Sequence, residues 1–597
     1  MSTAEPPSWS YCAHGAGPAA DPVGCRGIYV PGRTACLAHL TGADRNAFLA
    51  GLVPGTDIDL RGTAFTEELL SSLLEALRDP ATGQPRFGAA QFASAAFKGH
   101  SSFAQAVFEG DACFDEAVFK EGSFFPATAF KGHSSFARAL FEGGAWFDEA
   151  VFEGNSCFDK TTFKSGAHFA SARFNGIARF NSVAFEGIAW FNKAVFKADA
   201  SFRSAVFDGA TRFTSTFEGD AQFTSAAFKR AADLGPLVCA GRVRLAGATF
   251  GGPVTLMIAA LRLECRRTRW SSMTEVRLRY ATVDFAQAVF EYPLTIAAEP
   301  DPFVLSNGQM VEEQMLASAP NAGVRIASLR GVDTAHLVLA DIDLSRCLFA
   351  GTVHLDQIRL EGTCTFDTVP TDTFWRRGRP ARFTPRRTLA EEHHWRAKQP
   401  DAARGWNVAV LGAGRPGPAQ VAPVYRALRK AFEDGKNEPG AAEFYYGEME
   451  MRRHDRIGTS RAERGLLHAY WMLSGYGLRA LRALGWLAAT MLVTLVLLMG
   501  FGLPKNTPKQ EATATVPPGG GKVTFEIQKG DTQNPTGNRF TGKRFEKALN
   551  VTLNSVVFRS SEQDLTAAGT YIEMTSRLME PALLALAALA VRGRIKR

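Results

Sequence analysis

The chain is predicted to be mainly β: a β-helix solenoid, followed by a helical hairpin and an α-helical membrane module. Three observations predict this. Phenylalanine is crowded, with 28 of the 45 Phe in 597 residues lying between Phe87 and Phe228. From Phe97 onward the Phe positions advance by alternate steps of six and five. Near the other end, Ala483 to Leu503 is a run of 21 uncharged residues behind a cluster of arginines.

The steps run Phe97, Phe103, Phe108, Phe114, Phe119, Phe125, Phe130, Phe136, Phe141 and onward to Phe228, with a combined period of eleven. One side, Phe213 to Phe217, is a residue short. Two residues before most of these Phe stands a small side chain, as at Ala106, Ala112, Ala117, Ser134, Ala139, Ala145, Ala150 and Ser156. Alternate residues of an extended segment share a face, so the small residue and the Phe point inward together. Nearly all the six-residue steps carry Gly soon after the Phe (Gly99, Gly110, Gly132, Gly143, Gly154, Gly176, Gly187, Gly209, Gly219). The expectation is that Gly absorbs the extra residue at a corner of positive φ. An eleven-residue helical period is the competing pattern. It would place the Phe on two stripes, and each Gly would cost about 1 kcal/mol against Ala.

Phe97 to Phe228 resembles a pentapeptide-repeat protein of the variant with Phe at the central position. The resemblance implies a right-handed quadrilateral β-helix with four repeats to a coil. The departure from strict fives implies coils nearer 22 residues than 20, and six to seven coils would stack to about 30 Å. Thr66 to Arg78 reads as a cap helix for the open end, with Thr66 as N-cap, Glu67 and Glu68 in the first turn, and Leu69, Leu70, Leu73, Leu74 and Leu77 on one face. Beyond the regular tract, Val243, Leu245, Ala248 and Phe250, then Val283, Phe285 and Phe290, then Val324 to Phe366, keep the alternation with longer loops and read as irregular further coils.

Residues 371–421 are rich in Arg, Pro and Gly and read as a basic linker. Gly412, Gly414 and Gly417 match a dinucleotide-binding GxGxxG, but Pro416, Pro418 and Pro423 interrupt the helix that such a site opens. An exposed Gly/Pro turn is the simpler reading, and an oxidoreductase the remote one. His393 and His394 stand beside Glu391 and Glu392 and read as a solvated face. Val424 to Asp434 and Ala441 to His454 form a helical hairpin, with Tyr425, Leu428 and Phe432 on one face.

Ala483 to Leu503 is long enough to span a bilayer. Arg452, Arg453, Arg456, Arg461, Arg464, Arg479 and Arg482 precede it, which places the N-terminal body in the cytoplasm and brings a basic run to the lipid surface. A second segment, about 574–591 or extended back to Ala567, ends in Arg592, Arg594, Lys596 and Arg597. It reads as a second span, with a helix lying in the interface as the alternative. Glu573, Arg577 and Glu580 fall inside it; the first two are spaced to pair on a helix. Two spans, an outer loop and a short helix near Arg544 to Phe558 resemble the two-helix module of tetrameric cation channels. That family's filter has Thr-x-Gly-Tyr-Gly where this chain has Thr566-Ala-Ala-Gly569-Thr-Tyr571, so K⁺ selectivity does not carry over.

Nine cysteines without a CxxC pair, and no basic-then-apolar leader at the N-terminus, lead to an expectation of reduced thiols in the cytosol. Cys12, Cys25, Cys36 and His39 resemble a small three-Cys, one-His zinc knuckle. Structural zinc is therefore the candidate cofactor, with ordinary reduced cysteines as the alternative. No other cofactor and no catalytic residue is expected.

Six segments follow: 1–80, 81–230 regular coils, 231–370 irregular coils, 371–421 linker, 422–482 hairpin and juxtamembrane helix, 483–597 membrane module. Residues 98–230 hold 15 acidic and 14 basic side chains, a balance that suits neither a nucleic-acid groove nor a DNA mimic. The function expected is a membrane-anchored protein-interaction scaffold, with membrane lipid, a protein on the solenoid face and a second copy of the chain as partners. A channel-like oligomer is the alternative.

Overall fold

The computed structural model describes residues 6–17, 21–230, 232–305, 307–319, 321–371, 374–376, 379–381, 383–400, 402–406, 414, 416–505, 510–515, 518–519, 524–529, 532–534, 536–561 and 563–595. The chain divides into two compact units, Met1–Pro416 and Gly417–Arg597.

The first unit is a parallel β-solenoid. Its sides are mostly two-residue strands, each paired with the strand one turn later: Val107–Phe108 with Ala129–Phe130, Ala112–Cys113 with Ser134–Ser135, Val118–Phe119 with Leu140–Phe141, Ser123–Phe124 with Ala145–Trp146. Four such sides complete a turn of 22 residues. The short step at Phe213 makes one turn a residue smaller, so Val195 pairs with Thr216. One side alone stacks 11 strands, from Ala64–Phe65 to Val289–Phe290. Other sides continue to Arg359–Glu361, and the irregular coils belong to the same sheet.

Inward-facing Phe rings form four columns along the axis. In one, Phe97, Phe119 and Phe141 lie 4.6 and 4.5 Å apart, almost parallel. In another, Phe136, Phe158 and Phe180 lie 4.9 and 4.7 Å apart. Rings of neighbouring columns meet edge to face, as Phe147 meets Phe158 at 5.6 Å. These are the two favoured aromatic geometries. The small residues two before each Phe are buried, which leaves room for the rings.

The glycines differ from the sequence expectation. The positive-φ corners fall in the five-residue steps and are held by Gln105, Glu116, Ala127, Arg138, Glu149 and Lys160, none of them Gly. The repeat glycines have no positive φ and serve a different need. A Cβ on Gly132 would stand 2.5 Å from the Gly110 backbone, and one on Gly176 2.5 Å from the Gly154 carbonyl oxygen. Successive coils approach too closely there for any side chain.

The expected cap helix is present as α2 (Glu67–Ala76), with the Thr66 side chain accepting the Leu69 N–H, but it is not the end of the solenoid. The first coil starts before it: Ile58–Asp59 pairs with Ala90–Gln91 and Ala64–Phe65 with Ala96–Phe97. Ile58, Leu60 and Phe65 carry the inward alternation without the Phe spacing, so the helix interrupts a coil. Helix α1 (Gly42–Ala50) precedes it.

Helix α3 (Ala390–Ala397) corrects the reading of a solvated face. Glu391, Glu392, His393 and His394 are all buried. Glu391 accepts the N–H groups of Phe349 and Ala350 from the solenoid. Arg386 and Arg396 both donate to Glu392, and the His393 ring bonds the Thr388 hydroxyl at 2.8 Å. The acids are buried because each has donors to meet it.

In the second unit, α4 (Pro418–Asp434) and α5 (Glu438–His454) form the hairpin. Helix α4 starts six residues earlier than expected: Pro418 sits in its first turn, where a missing N–H loses nothing, and Pro423 is early enough to forfeit a single bond. Gly447 lies against the Tyr425 ring, where a Cβ would come within 2.3 Å. Helix α6 (Arg461–Ser474) packs on α5 through Trp471, whose N–H donates to the Tyr446 hydroxyl. Several arginines of the basic run are tied to the protein. Arg452 pairs with Glu463, Arg453 pairs with Glu450 and lies over Trp471, Arg464 bonds the Asp455 carbonyl and Arg482 the Trp471 carbonyl.

Among the described residues, two helices are long and apolar enough to cross a membrane, Ala480–Gly502 and Ala567–Arg592. The first comprises α7 (Ala480–Leu497) and a wider π turn, Leu498–Gly502. Between the two stands α8 (Gly542–Val556), from which Arg544 donates to the Met499, Leu503 and Pro504 carbonyls at the end of the first span. The second is α9 (Ala567–Ile595). Gly502 and Gly569 let the two backbones touch, since a Cβ on Gly569 would stand 2.2 Å from the Gly502 oxygen. Glu573 and Arg577 do not pair: Glu573 accepts from Ser561, and Arg577 donates to the Phe558 carbonyl. Glu580 is fully buried and accepts from the Thr494 hydroxyl at 3.0 Å.

Two substitutions test the packing. Phe158→Ala removes a buried ring from the middle of a column and is expected to lower stability by about 3–5 kcal/mol in denaturant unfolding of the solenoid. Gly154→Ala is expected to destabilise strongly, whereas Glu149→Gly, at a corner with φ 58°, is neutral or stabilising in the same measurement.

Candidate metal centre

The four residues singled out by spacing come together. A short antiparallel pairing sets two of them: Cys12 donates its N–H to the Gly27 carbonyl, Ala13 to Cys25, and Cys25 to His14, at 2.8 to 3.0 Å. The other two come from a turn. Cys36 precedes the single 3₁₀ turn Leu37–His39, and the His39 N–H bonds back to the Cys36 carbonyl. That spacing of three places the thiol and the imidazole on one side.

The donor atoms all lie within 4.8 Å of one another. Cys25 Sγ and Cys36 Sγ are 3.6 Å apart. His39 Nδ1 is 3.3 Å from Cys36 Sγ and 3.7 Å from Cys12 Sγ. A tetrahedral ion with metal–sulfur bonds near 2.3 Å and metal–nitrogen bonds near 2.0 Å requires S···S separations of about 3.8 Å and S···N separations of about 3.5 Å. The closest separations come near these values, and this site can hold a metal ion.

Two further residues support the set, of which Gly27 escaped the sequence reading. Gly27 donates its N–H to Cys25 Sγ at 3.4 Å, and a Cβ on it would stand 2.8 Å from Cys36 Sγ. A Gly two residues after a ligand Cys was the available signal. His14 stacks on His39 with ring centroids 4.2 Å apart and steadies the imidazole.

The electrostatics set Cys25 apart from the solenoid thiols. The Cys25 thiol is pulled down to about 5, first by its bond with Cys36, then by the Gly27 N–H and by His39, against the opposing effect of burial. Cys36 moves up, because it supplies that bond and is itself buried. In the solenoid, Cys113, Cys157, Cys239, Cys265, Cys347 and Cys364 are all pushed up by burial, Cys239 to about 12. Cys25 is thus the thiol whose surroundings favour the thiolate.

The other sequence candidates do not converge. Gly412 lies outside the described residues. The Gly414 carbonyl faces the His394 ring, and Gly417 precedes α4. Thr566 is at the start of α9: its hydroxyl bonds the Phe501 carbonyl and accepts the Gly569 N–H, so the stretch aligned with a channel filter is a helix beginning.

Cys36→Ser is expected to abolish stoichiometric metal binding, measured by elemental analysis of purified protein, while Cys113→Ser leaves it unchanged. At neutral pH, iodoacetamide is expected to label Cys25 first in metal-free protein and to spare it once metal is added.

A family model described as pentapeptide repeats matches residues 103–151, 158–206 and 169–216. No curated protein and no solved structure matches the chain. The matched stretches lie within the coils that carry the stacked Phe columns. These coils are pentapeptide repeats with Phe at the centre of each.

Proposed function

We propose that this chain is a membrane-anchored scaffold, with a cytoplasmic solenoid that binds a protein partner and performs no catalysis. The observation that carries it is a column of aromatic side chains on the outer face of one solenoid side. Phe124, Trp146, His168 and Trp190 occupy equivalent outward positions of successive coils. Phe124 and Trp146 stack at 4.6 Å, Trp146 and His168 at 5.5 Å, and Trp190 meets His168 edge-on at 4.2 Å. The rings lie back over Gly122, Gly144 and Gly166 and stay half exposed. Rigid aromatic area of this kind is what binding hot spots use. Elsewhere on the regular coils some charges pair between turns, as Lys131 with Glu109 and Lys120 with Glu142, and the near balance of acidic and basic side chains does not favour a nucleic-acid partner.

The two apolar helices support anchoring in a cell membrane with two spans, and the arginines before the first support a cytoplasmic body and C-terminus. The metal centre fits the same reading. Three thiolates and one imidazole suit Zn²⁺, and four protein ligands leave no open position for substrate, so the ion is structural.

Photo-crosslinking residues placed at Trp146 and Trp190 in cells are expected to yield the same discrete protein adduct, with Arg138 as the control position. Labelling that is absent, or equal at Arg138, would overturn the scaffold reading. All nine cysteines lie before the first span. An impermeant maleimide is therefore expected to label intact cells only when Thr536→Cys is introduced in the loop between the spans.

A further inference from the structure

The segment that carries the four metal ligands also covers the first coil of the solenoid. Ile28, three residues after Cys25, donates its N–H to the Arg61 carbonyl at 2.8 Å. The Arg61 N–H is met by the Asp59 carboxylate at 3.3 Å. Trp9 donates its ring N–H to the Arg26 carbonyl at 2.9 Å, and the Arg61 guanidinium lies 5.1 Å from the Trp9 ring. At Gly62 the two backbones are so close that a Cβ would stand 2.3 Å from the Arg26 oxygen. On the other side of the same strand, Ile58, Leu60 and Gly62 donate to Ala89, Gln91 and Ala93 of the next coil. At Arg61, then, the outermost strand finds partners in the Ile28 N–H and its own Asp59.

An uncovered solenoid end is an open strand edge, which pairs readily with other chains. The covering segment is short, and its own core is Val23, Val30, Leu37 and Leu40. Chains of about 40 residues or fewer rarely hold a fold without a metal, a disulfide or a partner. Cys25 and Cys36 are both free, so no disulfide holds this one. The ligands come from both ends of it, Cys12 from the first strand and His39 from the last turn.

We infer that zinc at Cys12, Cys25, Cys36 and His39 is the clasp that holds residues 6–17 and 21–40 over the N-terminal edge of the solenoid. Metal occupancy then decides whether that edge is covered. Binding of the ion folds the segment, the folded segment presents the Ile28 N–H and the Arg26 backbone to the first coil, and loss of the ion releases both contacts. The inference rests on the reading of the centre as a zinc site.

The test is hydrogen exchange by mass spectrometry on the full-length protein in detergent, with zinc bound, stripped by a chelator and restored. Stripping is expected to speed exchange about tenfold or more at Cys12, Cys25 and Ile28 and across Ile58 to Gly62, to leave the coils around Phe147 unchanged, and to reverse when zinc returns. Gly62→Ala, which pushes the coil off Arg26 without touching a ligand, is expected to keep one zinc per chain and still exchange faster at Ile58 to Gly62. Absence of stoichiometric zinc in protein purified without chelator overturns both the zinc reading and the clasp. Bound zinc whose removal leaves Ile58 to Gly62 unchanged overturns the clasp alone.

Discussion

Everything in the first unit depends on the contact of each coil with the next. Parallel strands stack at the hydrogen-bonding distance, and a flat Phe ring repeated at every turn stacks at nearly the same spacing, 4.5–5.2 Å in the column from Phe97 to Phe228. The backbone ladder and the ring column therefore reinforce one another without strain. The same closeness excludes a Cβ at Gly132, Gly154 and Gly176 and admits Ala or Ser beside each ring. Where the register changes, as at Phe213 and again past Phe228, the Phe columns shorten and longer strands such as Val254–Glu264 replace them.

A stack of identical turns has two ends, and the chain treats them differently. At the C-terminal side, α3 inserts Glu391 to accept the Phe349 and Ala350 amides, with the neighbouring Glu392 held between two arginines. At the N-terminal side, a segment too small to hold itself does the covering, and the four ligands give it the missing stability. A regular solenoid with closed ends is a rigid rod whose sides can display a repeated side chain, and the column Phe124–Trp146–His168–Trp190 is such a display. Burial among its neighbours holds His168 below the usual imidazole range.

The candidate site was legible because a metal centre needs particular residue types at particular spacings. Cys36 and His39 announced themselves by their separation, and Cys12 and Cys25 by being the remaining thiols nearby. Gly27 was not legible, nor was the stacking role of the nearby His14, since both lie in the third dimension, one as a vacancy beside Cys36 and the other as a stacked ring. The buried His393 and His394 misled for a related reason. Adjacent acids suggest solvent, yet Arg386, Arg396 and two backbone amides converge on them.

By itself the sequence determined the solenoid, its 22-residue turn, its inward Phe and small residues, and two apolar helices. Each of these follows from local periodicity, which a one-dimensional string records fully. Only the tertiary structure decided why the glycines are glycine, where the first coil begins, and what Arg544 and Glu580 touch. Those answers depend on the distance between backbones that lie a whole turn or more apart, and no local pattern encodes such a distance.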